Sequence, residues 1–298
     1  MWFLLSICAI LAWSGSDLFS KIGSKPTDKY SHWKLVMAVG LVMGIHAIAQ
    51  LCSGVEFSFN DIIVYLPVSA LYILSMILGY VGLRYIELSI SSPICNSSGA
   101  VVVLLCYFVL KESIGGWQLL AVILICTGVI GLAVVEKRQS DAIRAARREI
   151  ANVKYTSSVL AIIFPILYCL LDALGTFADA YWLEMFIEET QANMAYEFTF
   201  LAMAVFGFIY VVVIKKQKII VAQEKAKIVA GVCETAGQFA YIFAIGANAI
   251  LAAPAISSYC VFSVLWSRIF LKERLSRAHY IVISLVLIGI VILGVFDV

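Results

Sequence analysis

Long uninterrupted apolar runs constrain what this chain can fold into more than any other feature. Ten such runs, each of about the length that crosses a bilayer, are bounded by charged or turn-forming residues. They lie at residues 2–22, 33–53, 61–84, 89–110, 116–135, 157–179, 192–214, 226–247, 249–271 and 278–296, and we number them one to ten. The sequence therefore predicts an all-α integral membrane protein with ten transmembrane helices.

The composition indicates that the bilayer rather than water is the solvent of this chain. Hydrophobic residues make up 63% and charged residues 13% of its 298 residues, against about 45–50% and about 25% in soluble domains. This excludes a soluble enzyme, a nucleic-acid-binding protein and a secreted disulfide scaffold. Residues 2–11 are as apolar as the core of a signal peptide, but no basic residue precedes them and no small-x-small site follows before Lys21. We expect them to stay as part of the first helix.

Residues that could hold a metal or perform catalysis are sparse. The eight cysteines stand singly, with no C-x-x-C and no neighbouring His, so we expect them to act as small packing residues. The three histidines form no H-E-x-x-H motif, and the sequence has no G-x-S-x-G motif. We therefore expect no enzyme, no catalytic residue, no metal and no cofactor.

The two halves of the chain share a weak internal repeat. Shifting residues 80–132 by 161 positions pairs Tyr80 with Tyr241, Pro93 with Pro254, Ser97 with Ser258, Leu110-Lys111-Glu112 with Leu271-Lys272-Glu273, and Gly128 with Gly289. A shift of 155 pairs Trp13 and Asp17 with Tyr168 and Asp172. Each half of the chain contains five of the ten runs. Because five is an odd number, the second half is expected to enter the membrane from the side opposite to the first.

The repeat predicts the organisation of the whole chain. We predict two inverted five-helix repeats, at 1–136 and 157–298, joined by a basic cytoplasmic linker at 137–156 that forms a short amphipathic surface helix. Inverted repeats place a binding site near the midplane of the membrane and are the architecture of secondary transporters.

Basic residues mark one side of the predicted bundle. Of the 21 Lys and Arg, 20 lie in or beside the loops after runs one, three, five, seven and nine, and the even-numbered loops and both termini hold only Lys111. Positive charge is retained on the cytoplasmic side. We therefore predict a multi-pass protein of a cell membrane, plasma or inner, with odd-numbered loops in the cytoplasm and both termini outside.

Several short motifs occur in an order that resembles a known family. They are Leu83-Arg84-Tyr85 at the end of run three, Pro93 and Pro254 early in runs four and nine, and a Leu-Lys-Glu before runs five and ten. Together they resemble the EamA-type transporters of the drug/metabolite transporter superfamily over the whole chain. The resemblance implies a central cavity lined by runs one to four and six to nine, with runs five and ten peripheral. It implies no particular substrate, because members carry amino acids, nucleotide sugars, quaternary amines and drugs.

Five acidic, basic or histidine side chains lie inside the runs and away from the residues at either end, where each costs about 2.5–3.5 kcal/mol to insert and so normally faces a cavity or a partner. They are Asp17, His46, Asp172, Glu197 and Glu234. Asp17 lies one turn before Lys21, so an ion pair within the helix is one alternative. The other is that Asp17 and Asp172, at mirrored depths in their runs, act as gating or relay acids on either side of a central site.

Two further polar positions have simpler interpretations. Asp179 ends run six, and we expect it to be a solvated helix end. His46 and Gln50 lie one turn apart in run two, where we expect structural hydrogen bonding rather than catalysis.

Glu234, Gln238 and Tyr241 form one polar stripe on run eight. We expect this stripe to line the cavity, and the alternative is a glutamate whose partners are hydroxyl groups of a neighbouring helix. A carboxyl group removed from water can hold a proton at neutral pH. Glu234, together with Asp17 and Asp172, is therefore a candidate for proton coupling.

Deep aromatic residues complete the predicted binding site. Beside carboxylates, aromatic faces attract organic cations, each ring contributing about 0.5–2 kcal/mol, and core packing is the alternative for each ring taken alone. Asn96 and Ser258 follow the prolines of runs four and nine, where loosened backbone is tolerated next to a cavity. The predicted substrate-binding residues are Trp13, Asp17, Tyr72, Asn96, Tyr168, Asp172, Glu234, Gln238, Tyr241, Ser258, Tyr259 and Trp266.

These features predict a secondary active transporter that moves a small cationic or zwitterionic organic metabolite by alternating access, coupled to protons. A broad-specificity drug or amino-acid exporter of the same fold is one alternative, and a membrane receptor or scaffold without transport is another. The expected partners are a small-molecule substrate and the lipid bilayer, with no nucleic acid, and a monomer is the oligomeric state that we expect.

Overall fold

The computed structural model describes residues 1–24, 28–83, 88–111, 114–146, 159–270 and 275–296. Within these ranges the secondary structure is helical, with no strand. The α-helices are α1 (Trp2–Gly23), α2 (Ser31–Cys52), α3 (Phe59–Gly82), α4 (Leu88–Cys95), α5 (Ser98–Leu105), α6 (Gly116–Ala146), α7 (Val159–Met185), α8 (Glu189–Phe208), α9 (Lys225–Ser257), α10 (Tyr259–Phe270) and α11 (Arg277–Val295). The π-helical segments Cys106–Leu110 and Ile209–Ile214 extend α5 and α8, and a 3₁₀ turn, Val221–Gln223, precedes α9.

The helices overlap the predicted runs but do not divide the chain at the same places. In the part of the chain that the structure describes, eight helical segments are long and apolar enough to cross a membrane, and Arg277–Leu293 is a shorter apolar helix. One of the eight, Lys225–Phe270, has 46 residues, about 69 Å at 1.5 Å per residue, and covers runs eight and nine. Its backbone leaves the helical conformation at Asn248, where φ is −166° and ψ is 85°. The all-helical fold is as predicted, whereas the count of ten transmembrane helices stays a prediction.

Two helices extend farther than the apolar runs. α6 continues to Ala146, so residues 137–146 of the predicted linker belong to α6 and not to a separate surface helix. α7 continues to Met185, past the end of run six at 179. Helices need not end where hydropathy falls, because Glu, Lys and Arg also have high helix propensity. The linker residues 147–156 and the motif residues 84–85, 112 and 271–273 lie outside the described residues, and the domain boundaries stay a prediction.

Close helix pairs build the bundle. α1 packs against α9, α2 against α8, α3 against α7 and α6 against α11. Gly40 of α2 lies against the backbone of Phe200 in α8, where any side chain would collide with it. Gly128 of α6 and Gly289 of α11, paired in the predicted repeat, likewise lie directly against the partner helix. These glycines let the helix backbones approach closely.

The charged side chains separate to the two ends of the bundle. The basic end carries the segments between α1 and α2 and between α8 and α9, and the described basic side chains there are Lys21, Lys29, Lys34, Arg138, Lys215, Lys216, Lys218, Lys225, Lys227, Arg268 and Arg277. The acidic end carries the segments between α2 and α3 and between α7 and α8, with Glu56, Asp61, Glu184, Glu188 and Glu189, and also Lys111. The two ends therefore differ in the sign of their charge.

An ion-pair cluster links the α1–α2 segment to the start of α9 at the basic end. Lys34 Nζ lies 2.8 Å from Asp28 Oδ2 and 3.4 Å from Glu224 Oε1, and Lys227 Nζ donates to Glu224 Oε2. Burial raises the pKa of Asp28, but the hydrogen bonds from Lys34 and from the N–H of Tyr30, with the charges of Lys34 and Lys227, outweigh burial and hold that pKa below its ordinary value. The cluster holds α2 and α9 beside each other at this end.

Candidate functional site

A central cavity lies between the α1–α9 pair and the α3–α7 pair, with α4, α5, α8 and α10 completing its wall. It contains about 970 Å³ of space free of protein atoms, part of which is open to solvent. Ten of the twelve predicted binding residues line it, namely Trp13, Asp17, Tyr72, Asn96, Tyr168, Asp172, Glu234, Gln238, Tyr241 and Tyr259. The fold thus gathers side chains from both halves of the chain around one space.

Asp17 of α1 lines this cavity and is held by two serines from other helices. Its Oδ2 accepts hydrogen bonds from Ser92 Oγ of α4 at 2.5 Å and from Ser263 Oγ of α10 at 2.8 Å. Lys21, the alternative partner within α1, directs its Nζ to the carbonyl oxygen of Leu83 at 3.1 Å. The contacts of Asp17 therefore join three helices around the cavity.

Asp172 and Glu234 each accept a hydrogen bond from a serine. Asp172 Oδ2 accepts from Ser98 Oγ at 2.7 Å, and Glu234 Oε2 accepts from Ser16 Oγ at 2.6 Å. Both acidic residues stay partly exposed in the cavity wall. Because a carboxylate has about four acceptor sites, each keeps acceptor capacity for a ligand. Cavity lining and a hydroxyl partner were alternatives for Glu234 on sequence alone, and the structure shows both.

The described residues that line the cavity make it acidic. Three carboxyl groups face it, and no Lys, Arg or His of the described chain does. Serine hydroxyl groups lower the cost of these carboxyl groups but bring no positive charge to balance them. Within the described ranges, no group of three or more His, Cys, Asp or Glu side chains is placed to hold a metal ion. The cavity therefore suits a positively charged organic group or a proton.

A break between α4 and α5 directs two of the serines to different acids. Pro93 has no N–H to donate, and α4 ends two residues after it. At the break, Asn96 Nδ2 donates to the carbonyl oxygen of Ser92 at 2.8 Å, which helps to pair the end of α4. Ser92 before the break and Ser98 after it therefore reach carboxyl groups on different helices.

An aromatic wall lies beside the acids. The ring centroid of Trp13 lies 5.0 Å from that of Tyr241 and 5.8 Å from that of Tyr259. The ring centroid of Tyr72 lies 6.1 Å from that of Tyr241 and 6.0 Å from that of Tyr196. These rings pack against one another at the cavity surface, and aromatic faces also attract organic cations. Core packing and ligand binding are thus compatible roles for them.

Comparison with known proteins bears on this site. Residues 1–134 match the sequence model of the EamA-like transporter family. Over these residues the protein matches the drug/metabolite transporter superfamily. A crystal structure of a protein matches with a TM-score of 0.65 over 99% of this chain and 96% of that chain, at 16% sequence identity, which shows a shared fold. No curated protein matched the sequence. The family indicates a multi-pass membrane transporter.

Two predicted binding residues of the transporter lie outside the cavity lining. The Oγ of the buried Ser258 donates to the carbonyl oxygen of Ala255 at 2.5 Å in the turn between α9 and α10. Trp266 Nε1 donates to Ser14 Oγ at 3.0 Å and joins α10 to α1. Ser257 lines the cavity instead of Ser258, because successive side chains in a turn point in different directions. In the structure Ser258 and Trp266 make contacts within and between helices outside the cavity lining, and their roles in substrate binding stay a prediction.

The transporter's cavity also contains polar residues that the sequence did not single out. Ser16 and Ser92 each donate to an acid, and Tyr80 lines the wall. Tyr80 carries a signal, since it pairs with Tyr241 in the internal repeat. Ser16 and Ser92 carry none, because their partners are on distant segments and small hydroxyl residues are common in membrane helices.

Asp179 departs furthest from the sequence-based expectation. It is fully buried rather than a solvated helix end, because α7 continues beyond it to Met185. Its Oδ1 accepts a hydrogen bond from the Tyr65 hydroxyl at 2.6 Å, and its Oδ2 accepts one from the Tyr72 hydroxyl at 3.4 Å. The prediction of a solvated helix end is wrong.

A further acid lies away from the transporter's cavity. Glu197 of α8 is fully buried, and its Oε1 lies 2.7 Å from His46 Nδ1 of α2. Asn193 Nδ2 donates to the same oxygen at 3.1 Å. These contacts tie α2 to α8, in keeping with the structural hydrogen bonding expected for His46.

Proposed function

We propose that the protein is a secondary transporter that carries a small cationic or zwitterionic organic metabolite through the central cavity by alternating access, coupled to protons. The observation that carries this proposal is the acidic cavity. Its three carboxyl groups lie beside the rings of Trp13, Tyr241 and Tyr259. The family supports transport, and the chemistry of the cavity supports the substrate class.

The positive group of the substrate binds between the carboxyl groups and the aromatic wall. A hydrogen bond to a charged partner contributes about 1.5–3 kcal/mol, and a ring face contributes about 0.5–2 kcal/mol. An anion in the same place is repelled by the carboxyl groups. Two donors on the wall, Trp13 Nε1 and Gln238 Nε2, have no hydrogen-bond partner among the described residues. Both atoms are buried in the wall, and in this proposal they bind the acceptor group of a zwitterion once the wall opens around the substrate.

Glu234 is the proton-coupling group in this proposal. It lies within electrostatic reach of Asp17 on α1, Asp172 on α7, Tyr80 on α3 and Tyr196 on α8. Several carboxyl groups that share one poorly hydrated site oppose one another's ionisation. A bound cation favours the ionised carboxyl group, and its departure favours a bound proton. Cation and proton therefore occupy the site in turn.

The proposal places the basic end in the cytoplasm, because positively charged loops are retained there. α11 begins at that end with Arg277 and runs toward the acidic end. A reporter that is active only in the cytoplasm, fused after Val298, is then inactive. Strong reporter activity at that position would overturn the orientation.

Thermal unfolding of the purified protein tests the substrate class, because a ligand that binds only the folded state raises apparent stability. The probes are choline, betaine and butane-1,4-diamine, with 3,3-dimethylbutan-1-ol as the uncharged isostere of choline and 3,3-dimethylbutanoate as an anion of similar shape. We expect at least one of the charged amines to stabilise the protein and the isostere and the anion to have little effect. Stabilisation by the anion, equal stabilisation by the isostere, or no stabilisation by any amine overturns the class.

Glu234→Gln tests the coupling. Uptake of the stabilising amine into proteoliposomes is measured over a range of pH on either side of neutrality. We expect the folded variant to lose the pH dependence of uptake, because an amide does not exchange a proton in this range. Glu197→Gln is the matched control, since it changes a buried glutamate outside the cavity, and it should keep the wild-type pH dependence. An unchanged pH profile in Glu234→Gln removes Glu234 from the mechanism.

The same assays separate the alternatives. Uptake of many unrelated drugs or amino acids favours a broad exporter over a selective transporter. Ligand-induced stabilisation without uptake, in a protein correctly inserted into vesicles, favours a receptor or scaffold.

A further inference from the structure

A network of hydroxyl groups crosses the cavity at its side nearer the acidic end. The hydroxyl groups of Tyr72 on α3 and Tyr241 on α9 are hydrogen-bonded to each other. Thr176 Oγ1 of α7 lies 3.2 Å from both hydroxyl oxygens. We call Tyr72, Thr176 and Tyr241 the hydroxyl bridge. Its bonds connect the α3–α7 pair to the α1–α9 pair on the side of the cavity where α7 and α9 also contact each other.

The protein is closed behind the hydroxyl bridge, toward the acidic end. On α3 and α7, and on α9 before its kink, the bridge residues are the cavity-lining residues nearest that end. Tyr65 and Asp179 lie behind them, fully buried and outside the cavity lining. Farther along, Trp182 Nε1 donates to the carbonyl oxygen of Val64 at 2.8 Å and joins α7 to α3. The bridge is therefore the last cavity wall before a packed interior.

Asp179 determines how the hydroxyl groups of the bridge are directed. A phenol has one proton to donate, whereas its oxygen can also accept, and a carboxylate only accepts. Tyr65 and Tyr72 donate to the two carboxyl oxygens of Asp179, at 2.6 Å and 3.4 Å. When Tyr72 donates to Asp179, its oxygen is left to accept a hydrogen bond from Tyr241. Tyr241 is itself a hydrogen-bond partner of Asp179, so the carboxyl group accepts from the tyrosines on both sides of the bridge.

We propose that Asp179 is a positioning residue that, by holding Tyr72, sets the hydroxyl bridge that closes the cavity toward the acidic end. The bridge breaks when the substrate enters or leaves on that side. This role rests on the proposed transport through the cavity, but the barrier itself is measurable without a substrate. A packing role alone predicts less stable Asp179 variants, with no change in the side from which the cavity is reached.

Two native cysteines allow the barrier to be measured in the full-length chain. Cys95 lines the cavity, and the exposed Cys52 is the last residue of α2, at the acidic end. A membrane-impermeant maleimide is applied to one side of sealed vesicles, and peptide mass spectrometry reports the two cysteines separately. Labelling of Cys52 shows that the acidic end of the protein faces the reagent.

Two variants change the bridge in different ways. Asp179→Asn keeps an acceptor for Tyr65 but replaces the other carboxyl oxygen with a donor, and Tyr72→Phe removes the central hydroxyl group. We expect wild-type Cys95 to be protected from the side that labels Cys52. Both variants should raise Cys95 labelling from that side roughly two- to tenfold, as the loss of one hydrogen bond allows.

Tyr196→Phe is the matched control. It removes a neighbouring buried phenol hydroxyl group, whose partner is the Met76 sulfur at 3.1 Å rather than Asp179. This variant should leave the labelling of Cys95 from the acidic end at the wild-type level.

Several results would overturn the positioning role. One is that the reagent labels wild-type Cys95 freely from the acidic end. Another is that Cys95 in the folded variants is labelled no faster than in the wild type, or that its labelling rises equally from both sides of the membrane. If Asp179→Asn does not fold, the labelling of Cys95 in Tyr72→Phe alone tests the positioning role. Amine uptake measured in parallel separates the two proposals. An Asp179-dependent barrier without uptake rejects transport alone, whereas uptake with unchanged labelling rejects the positioning role alone.

Discussion

Asp172 and Asp179 lie two turns apart on one face of α7, yet their surroundings differ. Asp172 lines the cavity, is partly exposed and accepts a hydrogen bond from Ser98 at the start of α5. Asp179 is fully buried and accepts hydrogen bonds from two tyrosines of α3. Asp172 therefore keeps acceptor positions free beside the cavity, whereas Asp179 is enclosed by the tyrosines that donate to it.

The difference follows from the side chains that reach each acid, because α3 packs along α7 at both levels, with Gly79 against Tyr168 and Gly175 against Tyr72. Asp172 receives its hydrogen bond from Ser98 of α5, after the α4–α5 break beside the cavity. Asp179 is reached by Tyr65 and Tyr72 of α3, which lie against its carboxyl group. An acid in a membrane helix therefore acquires its role from the adjacent helix, because the lipid offers no hydrogen-bond donors of its own.

The largest expected effect separates the two acids by ligand binding. Asp172→Asn should weaken binding of the amine that stabilises the protein by roughly 10- to 100-fold, because it removes a hydrogen bond to a charged group worth about 1.5–3 kcal/mol. Asp179→Asn leaves the three cavity carboxyl groups in place and should weaken binding much less. Isothermal titration calorimetry on both variants measures the difference. A greater loss in Asp179→Asn would reverse the assignment of the two acids.

A smaller effect separates a partnered tyrosine from an unpartnered one. Tyr65→Phe should lower the free energy of unfolding by about 1–3 kcal/mol, because Asp179 loses its shorter hydrogen bond while staying buried. Tyr80→Phe should change it much less, since the buried Tyr80 hydroxyl group has no partner among the described residues. Denaturant unfolding in detergent micelles compares the two. Equal losses would show that the Tyr65–Asp179 contact adds little to stability.

The smallest effect concerns Asp28, an aspartate outside the spanning helices. Its pKa is held below the ordinary 3.8, so its interactions stabilise the fold above that pH and are lost as the pH falls through the folded-state value. Solvent screens the pair with Lys34, so we expect a contribution below about 1 kcal/mol. Stability of wild type and Asp28→Asn, followed from neutral pH to below 3.8, should converge in acid. A constant difference across this range contradicts the prediction.

The helical fold could be predicted from the sequence because each apolar run signals its helix locally. The positions of helix ends could not, as α7 shows by continuing past Asp179 to Met185. The cavity could be predicted in part. Asp17 and Asp172 occupy matching positions in the internal repeat, and because a carboxyl group is costly in lipid, each must face a polar surface. That Ser258 and Trp266 lie outside the cavity lining could not be predicted, because hydropathy does not tell which side of a buried helix faces a cavity.

The sequence by itself determined that this chain is a bundle of apolar helices with basic and acidic ends, because transfer of a helix into lipid depends on its own twenty or so residues. Only the tertiary structure decided which acid lines the cavity and which is enclosed by tyrosines. Hydrogen-bond partners such as Ser16 and Glu234, or Tyr65 and Asp179, come from separate helices. Such pairs depend on how helices pack, and the hydropathy of a single helix carries no information about the donors on its neighbours.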